Sequence, residues 1–248
     1  MEKETVDKIL RETEVGYDLV SEKFSQTRNR FWGGLEFIKK YSKNGGKVLD
    51  FGCGNGRLLE ILENKNINYI GVDVSGELIN LAENSNTSKE GLKSIQFVKI
   101  SHDFEKLDFP NNFFDSVYST AVFHHIPGKK MRIEKAEELY RVLRKDSHIV
   151  VTVWNLWPAS FQQIFTKRGR QKKYFKIILK NWIDKIFRKS DLDWNDCIIT
   201  FTNNEGKVFN RYHHAFTKND LKKTFQRAGF RVEKIEKIDG NIVLIGKK

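Results

Sequence analysis

The chain has 248 residues, and its 44 lysines and arginines against 32 acidic residues give a formal net charge of +12. Hydrophobic residues make up 39% and aromatic residues 12%, enough to fill a core, so the composition excludes a disordered chain. No stretch approaches the roughly 18 apolar residues of a membrane span, and the start lacks the apolar segment of a secretory signal. Cys53 and Cys197 are the only cysteines, which argues against a disulfide framework and against a cysteine zinc site. The sequence predicts a soluble, cytoplasmic protein with reduced thiols and no bound metal.

Short apolar runs alternate with helical stretches from residue 47 onward, a pattern typical of β–α–β units and a parallel sheet. The predicted elements, in chain order, are a strand at Lys47–Phe51, a helix over 57–64, strands over 69–72, 95–100 and 115–119, a helix over 130–143 and a strand over 149–154. Ser75 is placed to cap a further helix behind the second strand.

The C-terminal part has a different pattern. Thr217, with Asp220 three residues later, predicts the start of a helix, and Gly229 predicts its end. Residues 231–238 and 241–245, separated by a turn, predict an antiparallel hairpin. Five β/α steps followed by a hairpin fit one α/β domain better than two.

A glycine-rich segment, LDFGCGNG at residues 49–56, connects the first predicted strand to the first predicted helix. Glycines at such a turn let a ligand approach the backbone and present amide N–H groups to an anion. By itself the segment fits a dinucleotide site or simply a tight turn. Asp73, after the second strand, is placed to bind two ribose hydroxyls, but dinucleotide enzymes place an acid similarly.

Three features favour S-adenosylmethionine as the ligand. The spacing is G-x-G-x-G, and Asp50 precedes the first glycine by two residues, where it can meet an ammonium group. Asp103 and Phe104 follow the third strand, where they can hold an adenine by its amino group and its face. A ligand with a carboxylate, an amine, a ribose and an adenine is S-adenosylmethionine; a structural glycine turn with surface acids is the alternative.

Residues 47–154 resemble the class I S-adenosylmethionine-dependent methyltransferases. Besides the glycine loop, LDFPNNFFD at residues 107–115 is similar to the family's L-P-F-x-x-x-x-F-D run. Residues 141–147 read RVLRKDS where relatives usually have R-V-L-R-P-G-G, and we expect this to change only a turn. The resemblance implies a Rossmann-like α/β fold, a mostly parallel seven-stranded sheet flanked by helices with a C-terminal antiparallel hairpin. The cofactor residues that it implies are Tyr17, Asp50, Gly52, Cys53, Gly54, Gly56, Asp73, Val74, Asp103, Phe104, Thr120 and Ala121.

Four further segments resemble one subgroup, the tRNA wobble-uridine carboxymethyl methyltransferases. They are Tyr17 through FSQTR at 24–28 to Trp32, STAVFHHI at 119–126, VTVW at 151–154, and RYHHAF at 211–216 with Gly240-Asn241 after it. His213 stands where relatives commonly carry a second tyrosine, and DCIITF at 196–201 only loosely resembles the subgroup's D-V-F-V-P-W. The resemblance implies esterification of a carboxylate on a modified uridine in the tRNA anticodon loop. It also raises the possibility of a small zinc-binding activator subunit.

A carboxylate acceptor suits a chain with no obvious nucleophile–base pair. A carboxylic acid with a pKa near 4 is already ionised at neutral pH, so that no general base is required. The residues predicted to hold the carboxylate and the nucleotide are Arg28, Arg211, Tyr212 and His214, and His124 and His125 are predicted to border the active site. Trp154 is placed to stack on an extruded base, or alternatively only caps the core. Plainer roles for the others are helix packing, salt-bridging or, for the two adjacent histidines, metal binding.

The positive charge is concentrated in one segment, because residues 160–190 carry +9 and the other 217 residues carry only +3. Apolar residues at helical spacing between Phe175 and Ile186 alternate with lysines, which predicts a helix that packs by an apolar stripe. The predicted tRNA contacts are Lys167, Arg168, Arg170, Lys172, Lys173, Lys176 and Lys180. A solvated helix face and a membrane-surface helix are the alternatives.

The chain is thereby divided into an N-terminal helical lid (1–45), a cofactor-binding core (46–154), a basic substrate-binding insertion (155–205) and a closing element (206–248). The leading hypothesis for function is a tRNA methyltransferase. A methyltransferase of small molecules such as quinones or other lipophilic acceptors, and a non-catalytic cofactor-binding or membrane-associated protein, are its rivals.

Overall fold

The computed structural model describes residues 1–28, 30–86, 91–158 and 170–248. Its strands are β1 (Lys47–Phe51), β2 (Asn68–Asp73), β3 (Ser94–Lys99), β4 (Phe114–Thr120), β5 (Leu143–Trp154), β6 (Asp196–Thr202), β7 (Val208–His214), β8 (Arg231–Ile238) and β9 (Asn241–Lys247). Its α-helices are α1 (Lys3–Thr27), α2 (Leu59–Leu62), α3 (Gly76–Ser85), α4 (Lys129–Val142), α5 (Arg170–Ile186) and α6 (Lys218–Arg227). Two short 3₁₀-helices cover Glu36–Tyr41 and Phe123–His125.

Seven strands form one sheet in the order β3-β2-β1-β4-β5-β9-β8. The first five strands of the chain pair in parallel, whereas β9 runs antiparallel to both of its neighbours, β5 and β8. The predicted fold class is therefore confirmed. The strand order reverses between β1 and β4, and in open α/β sheets a ligand binds beside the carboxyl ends of the strands at such a point.

Local signals in the sequence account for several helix ends. The Ser75 hydroxyl accepts a hydrogen bond from the Leu78 amide at 3.2 Å, and that of Thr217 accepts one from the Asp220 amide at 3.1 Å, so both predicted caps are confirmed. The predicted helix over 57–64 is shorter, at Leu59–Leu62. The turn expected at 141–147 is replaced by a direct passage from α4 into β5, with Asp146 at a φ of 62°.

The central sheet separates two hydrophobic cores. Successive side chains of a strand point to opposite faces; Leu49 and Val117 accordingly lie in one core while Val48 and Tyr118 lie in the other, all fully buried. Helices α4 and α6 cover the first face, and α2 with the first 3₁₀-helix covers the second.

A smaller third core forms around the basic helix. Strands β6 and β7 pair as a separate antiparallel hairpin, which the sequence did not predict, and Ile178 of α5 is fully buried in the core beside it. Helix α5 packs by only part of its predicted apolar stripe, because Leu179, Ile183 and Ile186 are 40%, 47% and 65% exposed. The hairpin covers only one side of the stripe.

Helix α1 packs across β7 and α3. Gly16 lies directly against the ring of Phe209, where an added Cβ atom would come within 2.1 Å of the ring. On the other side, the Asp18 carboxylate accepts a hydrogen bond from the Ser75 hydroxyl at 2.6 Å. In the described parts of the chain no helix is both long and apolar enough to cross a membrane.

A buried histidine links the β6–β7 hairpin to the rest of the domain. His214 donates from Nδ1 to Asp196 Oδ1 at 2.7 Å and from Nε2 to Asp220 Oδ2 at 2.6 Å. His214 therefore lies between two carboxylates, each within hydrogen-bond distance of one of its ring nitrogens. Burial would raise the pKa of Asp220, but the hydrogen bond and the charge of His214 outweigh it and hold that pKa below its ordinary value.

We expect His214→Leu to lower the free energy of unfolding by about 3 kcal/mol, because it removes a hydrogen-bond partner of the fully buried Asp196 carboxylate. Urea denaturation measures this change. Lys130→Ala, which removes the exposed Lys130–Glu134 pair, is the matched control and should cost less than about 0.5 kcal/mol. Equal effects of the two substitutions would contradict the anchoring role of His214.

Candidate active site

A cavity of about 850 Å³, including its open mouth, lies at the carboxyl ends of β1, β2, β4 and β5 and is covered by α1. The predicted residues that line it are Tyr17, Arg28, Gly52, Cys53, Gly54, Asp73, Val74, Thr120, Ala121, His124, His125, Trp154 and Arg211. Nine more lining residues were not predicted: Thr13, Phe24, Trp32, Phe51, Asn55, Arg57, Leu78, Ile100 and Val122. Six predicted residues are outside the lining: Asp50, Gly56, Asp103, Phe104, Tyr212 and His214.

The glycine loop has backbone φ angles that residues other than glycine rarely adopt. Gly52 has a φ of +75°, and a Cβ atom there would lie 2.2 Å from a methyl group of Val122. Gly54 has a φ of +54°, and the atom nearest to its missing Cβ belongs to Phe24, 3.6 Å away across the cavity. The first glycine therefore permits the packing, while the second leaves the backbone open to a ligand.

Asp73 is fixed by the loop that it faces. Its Oδ2 accepts a hydrogen bond from the Gly54 amide at 2.8 Å, and its Oδ1 accepts one from the Ser75 amide at 3.0 Å. Burial raises the pKa of Asp73, and the backbone hydrogen bonds oppose that shift. Each carboxylate oxygen keeps a second lone pair, so this residue is arranged to accept from two hydroxyl groups such as those of a ribose.

Asp50 lies beneath the cavity and is buried. Its Oδ2 accepts a hydrogen bond from the Tyr69 hydroxyl at 2.7 Å, while its Oδ1 has no hydrogen-bond partner among the described residues. Burial raises the pKa of Asp50 to about 7. A buried carboxylate oxygen without a donor suits a positively charged ligand group, as the ammonium group of S-adenosylmethionine is.

Arg57 is a cavity residue that sequence reasoning missed. Its guanidinium carbon lies 3.4 Å from the centre of the Trp32 ring, and burial together with the charge of Arg28 lowers its pKa to about 9. A basic residue directly after the glycine loop was the available signal. With Asp50, it provides the two opposite charges that an amino-acid group requires.

Asp103 and Phe104 are placed outside the cavity. The Asp103 carboxylate is exposed and accepts a hydrogen bond from the Ser101 hydroxyl, which lowers its pKa. Phe104 packs edge-on against Phe51, with ring centroids 5.9 Å apart. Their role in holding an adenine stays a prediction.

Two arginines from different elements meet at the cavity. Arg28 follows α1 and Arg211 lies on β7, where it is only 4% exposed. Burial and the charge of Arg211 lower the pKa of Arg28. Within the described ranges neither guanidinium forms an ion pair with a carboxylate. A positively charged pair without a counter-ion is suited to an anionic ligand.

Three histidines pack beside Trp154. His124 stacks on His213 with ring centroids 5.1 Å apart, and Trp154 stacks on His213 at 5.2 Å. Burial holds the pKa of His124 and His213 well below the ordinary value and lowers that of His125 to about 3. All three rings are therefore neutral at pH 7.

The hydrogen bonds of these rings assign their protons. His125 and His213 donate from Nδ1 to backbone carbonyl oxygens, at 2.9 and 3.1 Å, and His125 Nε2 accepts from the Tyr17 hydroxyl at 2.7 Å. His124 Nδ1 accepts from the Trp154 amide at 3.3 Å, which leaves the proton on Nε2. One ligand atom from each histidine lies within 4.8 Å of the others. Each neutral ring keeps one lone pair, but those of His124 Nδ1 and His125 Nε2 already accept hydrogen bonds from the Trp154 amide and the Tyr17 hydroxyl.

Tyr212 and His214 do not line the cavity, whereas Arg211 does. The Tyr212 hydroxyl is buried, 3.5 Å from the Arg132 guanidinium, and only its backbone carbonyl reaches His125. His214 is held between its two aspartates, as described above. Their predicted contacts with substrate are not supported by this arrangement, in which both side chains face away from the cavity.

The neutral histidines make stability depend on pH. Because their folded pKa lies below the unfolded value of about 6.5, the unfolded state takes up protons first, and stability falls as the pH drops below that value. His213→Phe keeps the stacking ring and removes one titrating group. We expect it to reduce the slope of unfolding free energy against pH by about 1.4 kcal/mol per unit between about pH 6 and 5. An unchanged slope in urea denaturation would mean that His213 is protonated in the fold.

Comparison with known proteins agrees with this site. The sequence model of a family described as a methyltransferase domain matches residues 21–235. The Schizosaccharomyces pombe tRNA (carboxymethyluridine(34)-5-O)-methyltransferase is 28% identical over 214 residues, which are 86% of this chain and 86% of that protein. Proteins of the same enzyme name from Arabidopsis thaliana and Xenopus tropicalis are both 32% identical, over 56% and 63% of this chain. The chain spans only 31% and 22% of the lengths of those two proteins.

Solved structures share the fold. An S-adenosylmethionine-dependent methyltransferase of Methanosarcina mazei superposes with a TM-score of 0.67 at 19% identity, covering 88% of this chain and 98% of that one. A chain from the complex of the Haloferax volcanii Trm112 methyltransferase activator with a methyltransferase gives 0.63 at 17% identity, covering 94% and 96%. Identities this low show the fold alone.

Asp73→Ala is expected to raise the dissociation constant for S-adenosylmethionine about a hundredfold, because it removes two charge-assisted hydrogen bonds to the ribose. Isothermal titration calorimetry on the full chain measures this, with circular dichroism as a check of folding. Asp108→Ala, which removes an exposed acid, is the control. An unchanged affinity in Asp73→Ala would refute the ribose contact.

The positive-φ glycines, the carboxylate of Asp73 and the unpaired oxygen of Asp50 fit the groups of this cofactor. The matched sequence model covers well over half of the chain, and the solved methyltransferases share its sheet. The chain belongs to the methyltransferase-domain family and is a class I S-adenosylmethionine-dependent methyltransferase.

Proposed function

We propose that this methyltransferase esterifies the carboxylate of a carboxymethyl-type side arm on the wobble uridine of tRNA, in the cytoplasm. The observation that carries the proposal is the pair Arg28 and Arg211, two cavity guanidiniums that no described carboxylate neutralises. The names of the S. pombe, A. thaliana and X. tropicalis relatives support the same acceptor.

The arginine pair binds and orients the acceptor carboxylate. Each guanidinium offers a planar set of N–H donors that matches a carboxylate. Arg28 also lies 4.6 Å from the centre of the Phe24 ring, and Arg211 lies 5.5 Å from that of Trp154. These aromatic contacts fix both groups in the absence of a counter-ion. Orientation matters because a tight ion pair on the attacking oxygen would reduce its nucleophilicity.

The reaction needs no proton removed by the protein. A carboxylate is already ionised at pH 7, so its methylation requires no general base. When bound, S-adenosylmethionine supplies a methyl group activated by a sulfonium. The task of the chain is then to align the two groups and exclude water, and α1 covers the cavity for that purpose.

Trp154 is the proposed platform for the extruded base. Its ring lies at the cavity, at the end of β5, and is supported from behind by His213 at 5.2 Å. Unpaired RNA bases are commonly held by stacking on aromatic side chains. The neutral Nε2–H of His124, which has no described partner, is a donor available for such a base.

The basic segment is the proposed contact for the tRNA backbone. Lys173, Lys176 and Lys180 are exposed on α5, although Lys180 pairs with Asp184. Lys172 is half-buried on the same helix, which begins at Arg170. Lys167 and Arg168 lie outside the described residues. Such contacts supply affinity for phosphates without reading sequence, and salt weakens them. The H. volcanii complex supports, by its shared fold, a small activator subunit as a further partner.

We expect tritiated methyl groups to enter total tRNA from a strain lacking this protein, and far less to enter tRNA from its parent, in which the sites are already filled. Mass spectrometry of the nucleosides should place the label in the ester of a carboxymethyl-type uridine.

Arg211→Ala should lower kcat/KM at least about a hundredfold, since it removes a charged contact from a buried site.

A matched comparison separates tRNA from a small-molecule acceptor. Neutralising Lys173, Lys176 and Lys180 together should raise the KM for tRNA about tenfold and leave the affinity for S-adenosylmethionine unchanged. Equal labelling of tRNA from both strains would overturn the proposal. Turnover without RNA, insensitive to the three lysines, would favour a lipophilic small molecule instead.

A further inference from the structure

Phe201, near the end of β6, contacts three cations. Its ring centre lies 4.9 Å from the Arg211 guanidinium carbon, 5.3 Å from that of Arg28 and 5.9 Å from Lys23 Nζ. Phe201 is half-buried and does not line the cavity, so it meets these residues from behind. Among the cation–ring contacts of the described residues, only those of Phe201 involve both Arg28 and Arg211.

The position of this ring counteracts the electrostatic repulsion between Arg28 and Arg211. Arg28 and Arg211 carry like charges on two separate elements, and each repels the other in a half-buried site. Arg28 also contacts Phe24, and Arg211 also contacts Trp154, but these two separate rings would hold the two guanidiniums independently. A shared ring attracts both through its negative face and so opposes their separation.

We propose that Phe201 is a positioning residue that holds Arg28 and Arg211 together as one clamp for the acceptor carboxylate. The inference rests on the proposed function for the identity of the anion. Lys23, which is half-buried, adds a third cation to the same cluster. Phe201 touches no reacting atom and acts only through the arginines.

This role predicts a specific kinetic pattern. Loss of the ring should weaken binding of the carboxylate acceptor and leave cofactor binding intact, because Arg57 and Asp73 contact other rings and other loops. Phe201→Leu should raise the KM for carboxymethyl-bearing tRNA about tenfold, with kcat changed less than threefold. Phe201→Trp restores a π face and should return KM to within about twofold of the wild type.

The control is the same substitution at a similar but remote ring. Phe37 lies 5.8 Å from Lys40 Nζ and 6.0 Å from Lys234 Nζ, in the core on the face opposite to α4 and α6. Phe37→Leu should leave KM unchanged. Calorimetric affinity for S-adenosylmethionine and the thermal midpoint are measured for every variant, so that a general loss of structure is recognised as a change in both.

A second readout does not depend on turnover. Arginine side-chain nuclear magnetic resonance, assigned with Arg28→Lys and Arg211→Lys, follows both guanidiniums while acetate is added. In the wild type, acetate should shift both resonances with one dissociation constant; in Phe201→Leu they should respond separately and more weakly.

The outcomes distinguish the two proposals. Wild-type protein that does not methylate tRNA but shows the joint acetate response would overturn the proposed acceptor and support the clamp. Unchanged KM and unchanged acetate response in Phe201→Leu would overturn the clamp, as would failure of Phe201→Trp to restore either. Equal loss of acceptor and cofactor affinity in Phe201→Leu would reduce Phe201 to a packing residue.

Discussion

Repulsion between like charges is the constraint around which the cavity is built. Arg28, Arg57 and Arg211 all line it, and in the described ranges none of the three forms an ion pair with a carboxylate. Aromatic rings contact each of them in place of acids. A ring stabilises a cation without neutralising it, so the cavity keeps its positive potential for ligands that bring carboxylates. The cofactor brings one and the proposed acceptor brings the other.

The three arginines come from distant parts of the chain, and the fold brings them together through a few anchors. Asn55 of the glycine loop donates to the Arg28 carbonyl at 3.2 Å, which ties the end of α1 to the cofactor loop. On the opposite side, His214 holds the β6–β7 hairpin, and with it Arg211, to α6 through Asp220. The polar network that stabilises the hairpin therefore also holds Arg211 at the cavity. In the proposed function, stability and substrate binding depend on the same network.

The parts of the fold that follow local rules were predictable from the sequence. The glycine loop, the Ser75 and Thr217 caps and the C-terminal hairpin each depend on neighbours within a few residues, and the structure has all of them. The β6–β7 hairpin was missed although Asn203, Asn204 and Gly206 mark the turn between its strands, and its core is shared with α5. The missed hairpin also explains why Tyr212 and His214 were expected at the cavity, although they do not line it. In a strand, alternate side chains point to opposite faces, so Arg211 faces the cavity while Tyr212 and His214 face inward.

The net charge of +12 and the cavity arginines act at different ranges. Lysines on the exposed face of α5 are screened by salt within about 10 Å at 0.1 M, so they attract a polyanion without fixing it. Arg211, almost fully buried, is screened far less and acts only on a group that enters the cavity. In the proposed function, surface charge can thus be lost or moved without altering the chemistry, whereas the cavity pair requires a carboxylate of the right reach. The excess of lysines would then select which macromolecule is held, and the arginines which of its groups is methylated.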